Sequence, residues 1–268
     1  MRIIKARYLT GVVIDLKDSI ESLKWLINNK VYLSGFYYEI TNIEEKYMRV
    51  KYPRTKHLPW SKASSKDDRY LANTDCFLNK HIIVTLKTDG ENTTLYPNGS
   101  FHARSIDSSG DESRDWLHTW WADKIFTDTF MLVHKRYPNI RFCAENMYAK
   151  HTIHYKNLKS LLLIHSIWNG DTCLSWDEVK SICFIMDLTP VPTICDGLYD
   201  EAAIHKLDTI SDYLGDPVEG YVVRNANSFL YDDFAKNVAK YVRPDFVIEG
   251  ETHWFQQQRE KNGIKDNS

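Results

Sequence analysis

The sequence predicts a protein of the α+β class, in which antiparallel sheets are flanked by helices. Residues 81–87, HIIVTLK, have the apolar character of a strand and lead directly into a turn. Asn98-Gly99 stands between two short apolar runs, which is a signal for a hairpin. Residues 113–137 indicate a helix that is broken once. Hairpins mixed with helices in this way disfavour a doubly wound parallel sheet.

Further elements are predicted on the same grounds. Residues 18–29 are predicted to form a helix, because Asp18 and Glu21 have the spacing of a capping box ahead of apolar residues. Later strands are predicted at 141–148, 158–168, 219–225 and 238–246, and later helices at 176–188 and 200–210.

The domain organisation is expected to be simple, because no Gly/Ser-rich linker divides the chain. We expect one large domain at 46–250, a small accessory lobe at 1–45 and a tail at 251–268. The tail lacks apolar periodicity and is expected to fray. Residues 48–70 are irregular, basic and aromatic, which is typical of an exposed functional loop.

Composition limits the classes of protein. With 43% hydrophobic residues the chain can bury a substantial core. A formal charge of -2 provides no overall attraction to a polyanion, so a nucleic-acid site would need cations gathered on one face. Five cysteines without a CxxC pair argue against a disulfide framework and a zinc ribbon. Without a long apolar run, we expect a reduced, cytoplasmic or host intracellular protein that is not secreted and has no membrane partner.

Lys87 stands where the strand at 81–87 enters the turn Thr88-Asp89-Gly90. At the rim of a sheet its amine can point into a cleft, and the alternative is an edge-strand lysine that discourages aggregation. Lys-x-Asp-Gly is too short to decide between them. It is followed along the chain by Glu145-Asn146 at the end of an apolar strand, by Glu219-Gly220 in EGYVVR, and by the basic strand AKYVRPDF.

In this order, these motifs resemble the motif series of the covalent nucleotidyltransferases, the superfamily of RNA and DNA ligases and mRNA capping enzymes. Over residues 52–254 the chain is most similar to the ATP-dependent RNA ligases. The resemblance implies the nucleotidyltransferase fold, an ATP-grasp-like adenylation fold of antiparallel sheets and helices. It also implies ATP and Mg²⁺ or Mn²⁺ as cofactors, and RNA ends or a nicked RNA duplex as partners, and we expect a monomer.

The reaction implied by the resemblance has three steps. A lysine amine attacks the α-phosphate of ATP and expels pyrophosphate, AMP then moves to a 5′-phosphate, and a 3′-hydroxyl finally displaces AMP and seals the strand. Lys87 would be the nucleophile, and Lys240 would contact the α-phosphate, so these two are the expected catalytic residues. Because an ordinary lysine is protonated at neutral pH, we expect Lys240, Arg243 and a bound metal to lower the pKa of Lys87.

The other nucleotide and metal residues follow from the same motifs. Glu145 would bind the ribose or organise metal-bound water, and Glu219 would hold the divalent cation through water. Asp89 and Arg243 are expected at the nucleotide. The order Lys-Tyr-Val-Arg departs from the family's two lysines two apart, which leaves open the side chain that neutralises pyrophosphate. Arg104 matches an arginine on the nucleotide or the 5′-phosphate, the alternative being a solvent-facing strand arginine.

Adenine stacks on an aromatic residue in such ligases, and His165 occupies the matching place. The alternative is a buried histidine bonded to the backbone, with Tyr148 or Trp168 as the stacking residue.

The expected nucleic-acid contacts are Arg54, Trp60 and Asn92. Asn92 matches a position that manages the 3′-hydroxyl end, or else it closes the turn. Arg54 and Trp60 belong to a basic, aromatic loop at 52–68, which is similar to segments upstream of the lysine in some RNA ligases. Such a loop suits phosphate contact and base stacking, and the alternative is a solvated surface loop.

The end of the chain helps to choose among ligases. Residues 244–268 are too few for the oligonucleotide-binding (OB) barrel that DNA ligases and capping enzymes usually carry there, so we expect no C-terminal OB barrel and an RNA ligase. The alternatives are an ATP-dependent DNA ligase, a GTP-dependent capping guanylyltransferase, and a catalytically inactive nucleic-acid-binding module.

Overall fold

The computed structural model describes residues 2–8, 13–16, 30–33, 36–62, 68–108, 111–213, 215–246 and 260–265. The chain divides into two compact units, Met1–Val50 and Lys51–Ser268. The expected boundary at residue 45 falls inside the last strand of the first unit.

The first unit contains a four-stranded sheet in which every neighbouring pair is antiparallel. In chain order its strands are β1 (Arg2–Tyr8), β2 (Val13–Leu16), β3 (Lys30–Leu33) and β4 (Phe36–Tyr47). Their spatial order is β2-β1-β4-β3. The helix predicted at 18–29 lies outside the described residues.

The second unit is built on two large sheets. Its longer strands are β6 (His81–Lys87), β7 (Glu91–Leu95), β9 (Ile140–Asn146), β10 (Leu162–Asn169), β13 (Thr193–Leu198), β16 (Gly220–Asn225) and β18 (Val238–Val242). Shorter strands are β5 (Lys56–His57), β8 (Phe101–His102), β11 (Thr172–Cys173), β12 (Thr189–Pro190), β14 (Asp212–Tyr213), β15 (Asp216–Pro217) and β17 (Phe229–Leu230).

The seven-stranded sheet has the order β17-β11-β10-β9-β7-β8, with β12 pairing alongside β10. The five-stranded sheet has the order β13-β6-β16-β18-β5, and β14 pairs with β15 alone. The pairs are antiparallel except for β10 with β12 and β18 with β5. Mainly antiparallel sheets with helices confirm the predicted α+β class.

The helices begin at residues that cap them. They are α1 (Glu112–Ile125), α2 (Asp128–Arg136), α3 (Trp176–Ile185) and α4 (Glu201–His205). Asp111 accepts from the amide of Ser113 ahead of α1, and Ser175 forms a capping box with Glu178 at α3. The predicted break in 113–137 is confirmed, since Thr127 caps the second helix. Among its described residues the unit also has short 3₁₀ helices at Asp75–Phe77, Lys206–Thr209, Tyr231–Lys236 and Pro244–Phe246.

Buried side chains form separate clusters on the two sheets. The largest packs α1, α2 and α3 against the seven-stranded sheet and includes Trp121 and Phe142. A second cluster, with Phe77 and Tyr221, covers one face of the five-stranded sheet. A third joins residues of both sheets, among them Trp168. The cleft described below lies beside this third cluster.

One expectation about irregular segments is wrong. Residues 48–70 are not only an exposed loop, because β5 pairs with β18 and leaves His57 and Leu58 buried. A strand of two residues is too short to show a period in the sequence. In the predicted tail, the described residues 260–265 are packed against the second unit. Asn262 is buried, its side-chain Nδ2 donates to the carbonyl oxygens of Met147 and Ala149, and its Oδ1 accepts from the amide of Tyr155.

No helix in the described part of the chain has the length and apolar character that crossing a membrane requires. All five cysteines are free thiols.

Candidate active site

The register of the five-stranded sheet places two lysines on the same face. Lys87 of β6 is opposite Gly220 of β16, while Val222 is opposite both Thr85 on β6 and Lys240 on β18. Because side chains alternate along a strand, Lys87, Thr85, Val222 and Lys240 all point to one side of the sheet.

A cleft of about 460 Å³ opens on this face, which is within the usual size of a small-molecule site. The seven-stranded sheet supplies residues of β7, β9 and β10 to its wall. The predicted site residues that line it are Lys87, Asn92, Arg104, Glu145, His165 and Lys240.

Lys87 forms an ion pair with Glu219, in which Nζ donates a hydrogen bond to Oε2. The side chains are 25% and 8% exposed, so the pair is largely removed from water. Burial acts to lower the pKa of Lys87, but the carboxylates of Glu219, Glu145 and Asp89 outweigh it and raise that pKa above its ordinary value. The net shift is upward, so Lys240 and Arg243 do not by themselves lower the pKa of Lys87 below its ordinary value.

Glu145 lies close to the same amine and is held by the turn after Lys87. Its Oε1 accepts a hydrogen bond from the amide of Gly90 at 3.2 Å. A Cβ on Gly90 would lie 2.7 Å from the carbonyl oxygen of Asn146, so only glycine allows this approach. Burial raises the pKa of Glu145 to about 8, and Lys87 opposes this shift while Glu219 adds to it.

Three acidic side chains, those of Glu219, Glu145 and Asp89, thus act on the one ammonium of Lys87. In the described part of the chain, no group of three or more His, Cys, Asp or Glu side chains is arranged around a metal site. Glu145 and Glu219 still offer the oxygen ligands that Mg²⁺ and Mn²⁺ prefer, and Mg²⁺ usually binds through one or two carboxylates, water and substrate phosphates. The residues present fit a hydrated divalent cation bound together with a phosphate.

Asp89 positions the turn that carries Lys87. Its Oδ2 accepts hydrogen bonds from the amides of Thr152 at 2.7 Å and Ile153 at 2.9 Å, and its own amide donates to the hydroxyl of Tyr155. The carboxylate therefore ties the turn to the segment after β9 and adds negative charge near Lys87.

Lys240 and Arg104 supply positive charge on the cleft wall. Burial and the nearby charge of Lys87 lower the pKa of Lys240 below its usual value, and Arg104 has a smaller effect in the same direction. Arg104 is exposed. The cleft thus holds both cations and acidic side chains, the combination that a polyphosphate bound with a divalent cation requires.

His165 is held as a neutral ring. The Nδ2 atom of Asn92 lies 3.0 Å from His165 Nε2, within hydrogen-bond distance. Burial lowers the pKa of His165 to about 3, and Arg224 acts in the same direction. Asn92, expected at a 3′-hydroxyl or in the turn, instead contacts the imidazole expected to stack on a base.

Five predicted site residues are not part of the cleft lining: Asp89, Arg243, Trp60, Arg54 and Glu219, the last of which pairs with Lys87. Arg243 donates from Nη1 to the carbonyl oxygens of Ser211 and Val218, and its amide donates to the carbonyl of Glu219. It therefore supports the chain beside Glu219.

Trp60 and Arg54 occupy different surroundings. Trp60 donates from Nε1 to the hydroxyl of Tyr221, whose side chain points to the opposite face of β16 from Val222. Arg54 is exposed between Pro53 and Thr55, and both of these neighbours line the cleft.

Sequence reasoning missed part of the cleft wall. The alternation of GYVVRN could have assigned Val222 and Arg224 to the same face as Lys87. Tyr52 belongs to the basic, aromatic loop expected to stack on bases, and it lines the cleft. Nothing in the sequence pattern distinguishes Phe234, which enters the cleft from a 3₁₀ helix.

A family model described as RNA ligase matches residues 80–242. A search of curated protein sequences finds no significant match. Similar solved structures include a mutant Naegleria gruberi RNA ligase with ATP and Mn, which is 15% identical with a TM-score of 0.47 over 91% of this chain and 74% of that chain. Another is an archaeal ATP-dependent RNA ligase, 14% identical with a TM-score of 0.46 over 90% of this chain and 58% of that chain.

Two mainly antiparallel sheets with a lysine and acidic residues in the cleft between them define a protein of the nucleotidyltransferase class. The match covers more than half of the chain, from strand β6 to the end of β18. The chain belongs to the RNA ligase family, whose members are polynucleotide ligases, and the predicted family is confirmed.

Proposed function

We propose that this protein is an ATP-dependent RNA ligase that joins 5′-phosphate and 3′-hydroxyl RNA ends through a covalent lysyl-AMP at Lys87. The observation that carries the proposal is the position of the Lys87 amine, which lies in the cleft and contacts Glu219. Glu145 and Lys240 line the same cleft. A surface lysine that only discourages aggregation would not be largely buried among carboxylates.

In the first step, the Lys87 nitrogen forms a bond to the α-phosphorus of ATP while the bond to the pyrophosphate oxygen breaks. The ammonium must lose a proton to water before this attack. A divalent cation held by Glu145 and Glu219 would supply positive charge that neutralises these carboxylates, so the ion pair keeping Lys87 protonated is weakened. Lys240 would stabilise the charge on the α-phosphate.

In the second step, an oxygen of the RNA 5′-phosphate attacks the phosphorus of lysyl-AMP and the P–N bond breaks, which restores the lysine amine. In the third step, the RNA 3′-hydroxyl loses its proton and attacks the 5′-phosphate, and AMP leaves with the bonding electrons. Arg104, exposed on the cleft wall, is suited to hold a phosphate during these steps.

The remaining predicted residues receive roles that agree with their positions. His165, kept neutral by burial and in contact with Asn92, would stack on the adenine base. Asp89 and Arg243 would act as positioning residues for Lys87 and Glu219 rather than as nucleotide contacts. Arg54 would contact RNA, because it is exposed next to cleft residues.

The first test is covalent labelling. The protein is incubated with Mg²⁺ and ATP or GTP labelled at the α-phosphate, then denatured. We expect label from ATP that survives denaturation and is lost in Lys87→Ala. The matched control is Lys124→Ala, since Lys124 pairs with Asp187 outside the cleft lining and its variant should retain label. Undiminished label in Lys87→Ala would remove Lys87 as the nucleophile, and label from GTP alone would favour a capping enzyme.

The second test concerns the nucleic acid. Nicked duplexes that differ only in ribose or deoxyribose at the 3′-hydroxyl end are offered with ATP. We expect sealing of the ribose-ended nick, and equal or faster sealing of the deoxyribose-ended nick would contradict an RNA ligase and favour a DNA ligase.

A further inference from the structure

The two ends of the cleft have different chemistry. At one end lie Lys87, Glu145 and Lys240, where phosphates and a cation would bind. The other end is lined by residues that share an apolar or aromatic character and pack in the third cluster: Tyr52, Cys173, Phe229, Phe234 and Val238. A nucleotide whose α-phosphate meets Lys87 would therefore place its base at the apolar end.

Distances along the strands support this direction. On β9, Cys143 lies two residues beyond Glu145, which corresponds to about 7 Å. On β16, Arg224 lies four residues from Gly220, the partner of Lys87, which corresponds to about 13 Å. Arg224 lies at the apolar end, since its Nη2 donates to the Sγ of Cys173 at 3.6 Å, and Cys143 belongs to the buried cluster that contains Cys173 and Phe234.

Tyr52 closes this end of the cleft. Its ring meets the ring of His165 edge-on at 4.8 Å between centroids and that of Phe234 at 5.4 Å. The backbone just before it is fixed, because the hydroxyl of Tyr231 donates to the carbonyl of Lys51 at 2.7 Å. The residue after it is Pro53, which restricts Tyr52 to extended conformations.

The groups around the Tyr52 hydroxyl are already engaged. Ser166 bonds to it, and the same Ser166 oxygen accepts from Nε1 of Trp168 at 3.1 Å. Arg224 donates to the carbonyl oxygens of His165 and Leu174. Burial also raises the pKa of Tyr52 far above its ordinary value, so the hydroxyl stays neutral. Tyr52 is thus held in place by several neighbours. A ligand that reached past Tyr52 would have to break these contacts.

We propose that Tyr52 is the end wall of the base pocket and a specificity-determining residue that limits the size of the base edge the enzyme accepts. The inference rests on the proposed function, because it takes the ligand to be a purine nucleoside triphosphate. A purine joins its ribose through N9, so with the phosphates at Lys87 the edge that carries the 6-position faces Tyr52. A bulky group on the 6-amino nitrogen of adenine would collide with the ring.

The experiment tests whether a smaller side chain at position 52 removes this collision. Wild type, Tyr52→Ala, Tyr52→Leu and Tyr52→Phe are each given ATP or N6-benzyl-ATP, and nucleotide binding is measured by the shift in Tm as well as by covalent labelling. Tyr137→Ala is the matched control, because it removes a partly buried tyrosine that bonds Glu178 and does not line the cleft.

We expect wild type, Tyr52→Phe and Tyr137→Ala to respond to ATP and not to N6-benzyl-ATP. Tyr52→Ala should gain binding and labelling with the benzyl analogue by roughly tenfold or more over wild type, a discrimination typical of a filled apolar pocket. Tyr52→Leu keeps more of the apolar packing and should show the same gain if the alanine variant does not fold. A residue with only a structural role would not produce this gain.

The inference is overturned if wild type accepts the benzyl analogue as well as ATP, or if folded Tyr52→Ala and Tyr52→Leu bind ATP but still reject the analogue. If wild type binds ATP without becoming labelled, the covalent reaction of the proposed function is refuted. The role of Tyr52 is then decided by the Tm shifts with ATP and N6-benzyl-ATP alone. A wild type that binds no nucleotide would remove both.

Discussion

Replacing Lys87 by methionine should destabilise the fold in a way that depends on pH. Methionine keeps the length of the side chain but removes its charge, so Glu219 would stay 8% exposed without its cation. Removing one partner of a buried ion pair costs about 3–5 kcal/mol of unfolding free energy. Since a quarter of the Lys87 side chain is exposed, we expect about 3 kcal/mol, the low end of that range, at pH 8.

The sign of the pH dependence follows from the carboxyl groups. Burial already raises the pKa of Glu219, and loss of Lys87 removes the charge that opposes this shift. A carboxyl whose pKa is higher in the folded state than in the unfolded state loses stability as pH rises from the unfolded value to the folded one. The penalty of Lys87→Met should therefore be nearly absent near pH 4.5 and should reach its full value at pH 8.

Urea unfolding of wild type and variant at pH 5 and pH 8 provides the assay. The double variant Lys87→Met with Glu219→Gln is the control, because it removes the unpaired charge and should recover most of the loss at pH 8. A loss below about 1 kcal/mol, as for an exposed pair, would refute a buried ion pair. A loss equal at both pH values would refute the electrostatic origin of the effect.

Two further predictions concern the framework of the site. Gly220→Ala should cost about 3 kcal/mol or more in unfolding free energy, because a Cβ there would lie 2.0 Å from the carbonyl oxygen of Tyr241. Gly197→Ala is the control and should leave the urea midpoint nearly unchanged, because a Cβ there would meet no atom within 4 Å. A similar loss in both variants would contradict this account of Gly220. Asn262→Ala should cost about 1–3 kcal/mol for each buried backbone group left unpaired, while Glu260→Ala should change the midpoint little. An Asn262 variant as stable as wild type would show that the C-terminal segment does not contribute to the fold.

The sequence was sufficient for much of the local structure. The strand at 81–87, the hairpin at Asn98-Gly99 and the broken helix at 113–137 are all present, because apolar runs, turn residues and caps act within a few residues of one another. The short strand β5 was missed, since its pairing with β18 depends on a distant part of the chain.

The sequence also predicted the candidate site only in part. The order of the lysine and glutamate motifs was enough to select residues that meet in one cleft, because each occupies a strand or strand end with a readable pattern. The sequence did not indicate that Trp60 faces the opposite side of the sheet, or that Arg243 bonds backbone carbonyls near Glu219. The contacts of Trp60 and Arg243 depend on which face of the sheet each side chain packs against, and this is set by the tertiary structure.

The sequence by itself determined the fold class, the family and the side chains available for chemistry, because these follow from local periodicity and from the order of motifs. Only the tertiary structure decided that Lys87 has a raised pKa and that Tyr52 closes the base end of the cleft. The physical reason is that electrostatic and packing effects depend on distances between atoms, and here strand register and the pairing of two sheets set those distances.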